Sequence, residues 1–441
     1  MIRPVDMDGI DLSSHPFGWL LLTLFFVGYF FILKEDKYRL DKSKPALFTG
    51  TLMFMMIGGF YAYNGLNLES YKNEIEHLVF QIMQIFFFLF VSMTFIEALI
   101  ERGVFNALKN RLITKGYTYE KLFWVTGFLS FFISPIADSL TTALVLSTVL
   151  VTLDQSNRSF LVPGAINIVV AANAGGAWIP FGDITTLMAW TANKGTFTDF
   201  LYLFPASFLG WLATALLLKH YLPEGNPSHP IHIDEIKSTQ ILKGGKAIMA
   251  IGILTIAISV ICKEIFELPP MWGMLFGLSV LQMYSYFLKV KHKQDLNVYR
   301  SISKIENNTL LFLFGILAGV GALYYAGFLY YVFLMYDRFD PTLVNISSGL
   351  LSAVVDNVPM MYAVLNAKAP LAQDQWMLLT LTVAIGGSLI SFGSAAGVGV
   401  MGKMQGIYTF TSHMKLAWTV LAGYVVSILV WYVQFQGLGW Y

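Results

Sequence analysis

Apolar runs of about twenty residues, the length that crosses a bilayer, recur along this chain. Continuous ones lie near residues 17–33, 46–63, 78–100, 200–219, 245–267, 270–289, 307–335 and 413–435. Backbone held in hydrocarbon must satisfy its own hydrogen bonds, and an unbroken run of this length does so as a helix. Composition agrees. Of the 441 residues 56% are hydrophobic and only 12% are charged, about half the charged fraction of a soluble domain. The chain reads as an all-α polytopic membrane protein. A net charge of +1 leaves no basic face for nucleic acid. Cys262 is the single cysteine, so a disulfide framework and a thiolate metal site are both excluded. The N-terminal "MIRPVDMDGIDLSSHP" is acidic, unlike a cleaved signal peptide, so the first apolar segment is read as a true span.

Four other apolar stretches are interrupted: 119–153 at "SPIADS", 160–192 at "GGAWIPFGD", 342–366 at "VVDNVP" and 375–405 at "GGSLISFGSAAG". These interruptions repeat. "SPIADSLTTALVL" (134–146) aligns with "SAVVDNVPMMYAV" (352–364), placing Asp138 on Asp356. "GGAWIPFGD" (175–183) aligns with "GGSLISFGS" (386–394). The Asp motif precedes the Gly-Gly motif in each half, and a polar connection over 220–244 with Pro223, Pro227 and Pro230 divides the halves. The pattern is an internal duplication.

Lys and Arg orient the two units. Loops 34–45, 101–121 and 289–306 are basic and read as cytoplasmic, whereas 64–77 is acidic and reads as external. Segment 78–100 then runs inward before the first Asp motif, and 307–335 runs outward before the second, so the units are inverted. Loop charges stay consistent if 119–153 is a re-entrant hairpin turning at Ser134-Pro135 and the second hairpin turns near Asp356 to Pro359. The expectation is an inverted repeat of ten crossings with two re-entrant hairpins and two broken helices, both termini outside. Its parts are N-terminal peripheral helices (1–70), a first repeat (71–222), a cytoplasmic linker (223–244), connecting helices (245–300) and a second repeat (301–441).

Irregular backbone at membrane depth survives where it is buried in protein or lines a wet cavity. Here the breaks carry Asp138, Asp183 and Asp356 with Ser134, Ser139, Thr141, Thr142, Asn173, Thr185, Thr186, Asn357, Ser388, Ser391 and Ser394. This nearly all-oxygen set suits a hard cation such as Na⁺, while zinc or copper would call for His and Cys. No Lys, Arg or His lies within the motifs, so an anion finds no charge partner there. A buried carboxylate titrates nearer neutrality than the ordinary value of about 3.9 and holds a proton or a metal ion in turn. That exclusion is sufficient for cation/proton exchange. The candidate cation and proton ligands are Asp138, Asn173, Asp183, Thr185, Thr186, Asp356, Asn357, Ser388, Ser391 and Ser394. If Asp138 and Asp183 approach one site, their titrations are coupled.

Plainer roles stand beside these. Gly175-Gly176 and Gly386-Gly387 serve equally as close-packing positions, and Thr141 or Ser147 alone reads as a hydroxyl bonded to helix backbone. The acids are different, because an intramembrane acid is a functional candidate by default. Glu97 is a candidate relay or gate, as are Ser134, Ser139, Thr141 and Thr142; Glu101 reads as a solvated partner of Arg102. His77, His220, His229, His232 and His413 fall at segment ends or in loops and read as interfacial.

The stretches "GVFNALKNRLITKGYTYEKLFWVTGFLSFFISPIADSLTTAL", "INIVVAANAGGAWIPFGDITTLMAW", "LPPMWGMLFGL", "SAVVDNVPMMYAVL" and "GGSLISFGSAAGVGVMG" resemble signatures of the NhaD-type sodium/proton antiporters of the ion transporter superfamily. The resemblance covers most of the chain from about residue 78 onward. It implies transport roles for Asp138, Asn173, Asp183, Thr185 and Thr186, with Asp356, Ser388, Ser391 and Ser394 in the second half. Na⁺ would then sit at Asp138, Asn173, Asp183 and Thr186. Ser139 departs from the pattern, where relatives carry Asn as this chain does at Asn357. The superfamily fold implies a homodimer with scaffold and transport domains in a bacterial inner membrane. It implies no cofactor; Na⁺ or Li⁺ and H⁺ are the transported partners. The competing readings are a superfamily permease for an organic anion or oxyanion, and an intramembrane aspartyl protease using Asp138 and Asp183. The protease lacks its Gly-x-Gly-Asp setting, since Asp183 follows Pro180-Phe181-Gly182.

Overall fold

The computed structural model describes residues 11–66, 68–227, 240–293 and 296–440. His229, His232 and Pro230, with most of the 223–244 connection, lie outside the described residues. Among the described residues the regular structure is helical throughout. Eight described helices are long and apolar enough to cross a membrane: Pro16–Leu33, Ser43–Tyr63, Ile75–Glu101, Arg158–Gly176, Phe197–Lys219, Gly245–Glu264, Asn307–Tyr325 and Ala417–Gly437. The helices that build the site are α1 (Ser43–Tyr63), α2 (Leu68–Glu101), α3 (Tyr119–Ala137), α4 (Ser139–Leu153), α5 (Arg158–Gly176) and α6 (Ile184–Thr191). The second set is α7 (Asn307–Tyr325), α8 (Pro341–Val355), α9 (Asn357–Asn366), α10 (Gln373–Gly386) and α11 (Ala395–Lys403).

Helices α5 and α10 form the buried centre. Nearly every residue of each is enclosed, and α5 achieves this with small side chains (Gly164, Ala165, Ala171, Ala172, Ala174) that let neighbours approach its backbone. Peripheral helices do the opposite. Trp19, Phe26, Ile253, Leu254 and Met283 project outward, a placement that costs nothing against lipid tails.

The two halves share backbone detail at their paired motifs. Asp138 (φ 57°, ψ 159°) alone separates α3 from α4, and Asp356 (φ 63°, ψ 143°) alone separates α8 from α9. A Cβ on Gly175 would lie 2.1 Å from the Phe131 carbonyl oxygen, and one on Gly386 2.0 Å from that of Gly349. Phe131 and Gly349 each stand seven residues before their aspartate. Ser134 Oγ donates to the Ala172 carbonyl (2.6 Å), as Ser352 Oγ does to that of Val383 (3.1 Å). Asp183 and Ser394 cap α6 and α11 with the same extended backbone.

Several boundaries differ from expectation. The first turn is at Asp138, not Ser134-Pro135: α3 runs through Pro135 to Ala137. Proline removes the intrahelical donor to the Phe131 carbonyl, and that is the carbonyl against which Gly175 packs, so the helix is held through its defect by its neighbour. The 307–335 segment divides at Gly327, whose φ of 88° ends α7 before Tyr330–Arg338. The 413–435 segment starts as a separate short helix, Phe410–Met414, and 200–219 is likewise split after Leu201.

Candidate functional site

A cavity of about 120 Å³ lies where the breaks meet, room for several waters. Glu97, Asp138, Ser139, Thr141, Asn173, Asp183, Asp356, Asn357 and Ser394 line it, so nine sequence-derived candidates from the four interrupted stretches and α2 share one space. Two further charged groups line it that sequence reasoning did not single out, Lys42 and Glu306. Both come from loops read only as topology markers, and nothing local signals that their side chains turn inward.

Each carboxylate is held by its own helix start. Asp138 takes the Thr141 N–H (2.8 Å) and the Thr141 hydroxyl (2.9 Å), and Asp356 takes the Val358 N–H (3.4 Å). Asp183 accepts from Thr185 Oγ1 (2.6 Å) and N (3.3 Å). Thr186 Oγ1 accepts the Asp183 N–H (3.1 Å) and donates to the Asp183 carbonyl (2.8 Å), closing a reciprocal cap. Thr185 and Thr186 therefore hold the Asp183 turn and do not line the cavity. The bonds to Asp138 and Asp356 offset the cost of an aspartate at positive φ, about 1–3 kcal/mol for a strained residue.

The two halves meet through side chains. Asn173 Nδ2 donates to Ser388 Oγ (2.7 Å) and Ser394 Oγ (2.9 Å), and Asn357 Nδ2 reaches Asp183 Oδ2 (3.4 Å). Asp138, Asp183 and Asp356 line the same cavity; Asp356 lies within Coulombic reach of Asp183, and Asp138 within that of Glu306. Ser134 is spent on the Ala172 carbonyl behind the cavity. The Thr142 and Ser391 hydroxyls are buried without a hydrogen-bond partner among the described residues and also lie off the cavity wall. His413 is not interfacial as expected. It is fully enclosed, its Nδ1 beside Tyr408 Oη (2.8 Å) and its Nε2 beside the Leu389 carbonyl in the second break (3.1 Å).

Among the described residues no three Asp, Glu, His or Cys side chains gather closely enough to hold a metal by themselves. A cation here would be met by single carboxylates supplemented by amide, hydroxyl and free helix-end carbonyl oxygens, the donors of a weak and reversible monovalent site.

The sequence has relatives. The CitMHS family model, described as citrate transporter, matches residues 21–386. The chain is 39% identical to the Na(+)/H(+) antiporter NhaD of Vibrio cholerae, over 96% of this chain and 93% of that one. The chain belongs to the NhaD family. The NhaD of Alkalimonas amylolytica is 38% identical over 96% of this chain and 91% of its own. Sodium/proton antiporter 1 of Arabidopsis thaliana is 31% identical over 92% and 71%. With its eight apolar helices this NhaD-family chain is an integral, multi-pass transporter rather than an enzyme, which removes the protease alternative.

Proposed function

We propose that the chain exchanges Na⁺ or Li⁺ for H⁺ across a bacterial inner membrane by alternating access. Asp183 and Asp138 take cation and proton in turn, with Asn173 as a neutral ligand to the cation; Thr186 acts through the Asp183 turn, and Asp356, Asn357 and Ser394 complete the second wall. The single observation that carries this reading is the charge of the cavity, where five carboxylates (Glu97, Asp138, Asp183, Glu306, Asp356) face one ammonium, Lys42. Relatives named as sodium/proton antiporters support it. The matched contacts of the two halves support an inverted repeat with ten crossings and two re-entrant hairpins. A homodimer with scaffold and transport domains follows from the superfamily.

The exchange needs no cofactor: one carboxylate that cannot keep Na⁺ and H⁺ together couples their movements by linkage. In everted vesicles, Na⁺ and Li⁺ should collapse a preformed pH gradient, whereas K⁺ serves as the specificity control. Asp183→Asn keeps size and an oxygen ligand but loses the titrating proton, so it should insert normally and abolish the signal. Full exchange by Asp183→Asn would remove this carboxylate from the mechanism. The family description favours one second reading, an organic anion such as citrate, through Lys42. Five acids around one lysine oppose it, and labelled citrate uptake without Na⁺/H⁺ exchange would establish it.

A further inference from the structure

We propose that Lys42 is the tethered counter-cation of the exchange cavity: its ammonium balances the carboxylates while no Na⁺ is bound and thereby sets how tightly the cavity holds any cation. The inference rests on the exchange reading above and adds to it a residue outside every motif.

Lys42 immediately precedes α1, yet its side chain lies along the cavity wall. Its Nζ sits 4.5 Å from the ring centroid of Phe312 on α7, and Phe312 lines the same cavity. An aromatic face attracts an ammonium without neutralising any one acid, so the charge stays available to the whole space. Lys42 and Asp183 both lie within Coulombic reach of Asp356. The backbone on either side is pinned. Lys42 N–H donates to Glu35 Oε1 (3.4 Å), while Asp41 accepts from Ser43 N (2.9 Å) and from Asn308 Nδ2 (2.7 Å), beside the start of α7. The lysine is thus fixed at the mouth of the site by the helix pair α1 and α7, whose backbones touch where Gly50 meets the Gly315 carbonyl.

A fixed positive charge repels Na⁺ and H⁺ alike. Removing it strengthens the binding of both, and the sign of each effect follows. At strongly alkaline pH, where protons no longer compete, the apparent Na⁺ constant falls. On the acid limb protons are held longer, so the onset of exchange moves to higher pH. The other ionisable groups around this position are Tyr29 on Pro16–Leu33, Glu35 and Asp41 beside Lys42, Glu97 on α2, and Lys304 and Glu306 before α7. Asp138, Asp183 and Asp356 face it from the breaks. Among the described residues Lys42 is the cation that lines the cavity; it also lines the neighbouring pocket, which Lys304 shares.

The test compares Lys42→Met, which keeps the stem over Phe312, with Lys42→Arg, which keeps the charge, in the full-length chain reconstituted in proteoliposomes. Lys42→Met should lower the alkaline-limit Na⁺ constant roughly tenfold, a usual size for coupling between sites, and move the acid limb to higher pH. Lys42→Arg should remain within about twofold of wild type. Lys42→Gln is the second neutral variant and should behave as Lys42→Met. Wild-type constants and limb in both neutral variants overturn the proposal, as does an equal change in Met and Arg variants, which would mark a packing role. Absence of Na⁺-driven signal in the wild type overturns the exchange reading itself, a result distinct from unaltered neutral variants of an active protein.

Discussion

Asn173 Nδ2 lies 2.7 Å from Ser388 Oγ, so a side chain of the first helix break is bonded to a hydroxyl of the second. The two residues are 215 positions apart, and both are buried. The same amide reaches Ser394, the cap of α11. One asparagine therefore ties together the two irregular segments that the membrane would otherwise leave as separate defects.

Asn173→Ala should uncouple them. A buried hydroxyl that loses its partner costs about 1–3 kcal/mol, so the melting temperature of the solubilised protein should fall and the apparent Na⁺ constant should rise. Ser394 also accepts the Gly397 N–H (3.3 Å) as the cap of α11, so Ser394→Ala removes two bonds and should cost more than Ser388→Ala. Thermal melts of the three variants with Na⁺ titrations check this order.

Gly175 and Gly386 have no room for a methyl group. The atoms in the way are backbone carbonyls at 2.1 and 2.0 Å, which cannot swing aside as a side chain would. Gly175→Ala and Gly386→Ala should each reduce the folded yield or destabilise by at least 1–3 kcal/mol, as overpacking does. Gly402, where nothing lies within 4 Å, is the control, and Gly402→Ala should leave the melt unchanged or slightly raised.

Asp154 lies in the turn after α4, outside the eight spans, and supplies a pH-dependent contribution to stability. Burial pushes its carboxyl up, but hydrogen bonds from Tyr119 Oη (2.6 Å) and Ser156 outweigh burial and hold it below the ordinary carboxylate value. A depressed folded value stabilises above the unfolded value of about 3.9, and the gain is lost as pH falls through the folded one. Tyr119→Phe should therefore destabilise by about 1.5–3 kcal/mol near neutral pH. The gap from wild type should narrow as melts are repeated toward pH 3.

Loop sidedness is open to direct labelling. Gln155 is exposed in the α4–α5 turn, and Cys262 is buried, so Gln155→Cys in a Cys262→Ser background gives one reactive site. The inverted arrangement expects an impermeant thiol reagent to miss it in intact cells and to reach Lys368→Cys. Outside labelling at residue 155 would break the inversion.

Much of this was readable before any coordinates. Membrane class follows from run length, because hydrocarbon forces each segment to close its own backbone bonds. The acids and glycines at the breaks stand out because each is costly in a plain spanning helix, and the order of paired motifs points to a duplication. The position of the first turn did not follow. Pro135 looked like the breaker, but Gly175 packed against Phe131 carries the helix through it to Asp138. His413 looked interfacial because it sits between apolar segments, whereas the fold encloses it behind the second break. Sequence alone determined which groups are too expensive to be there without a purpose. Only tertiary structure decided which of them share a cavity, because contacts such as Asn173–Ser388 and Lys42–Phe312 join segments with no periodicity or spacing in common.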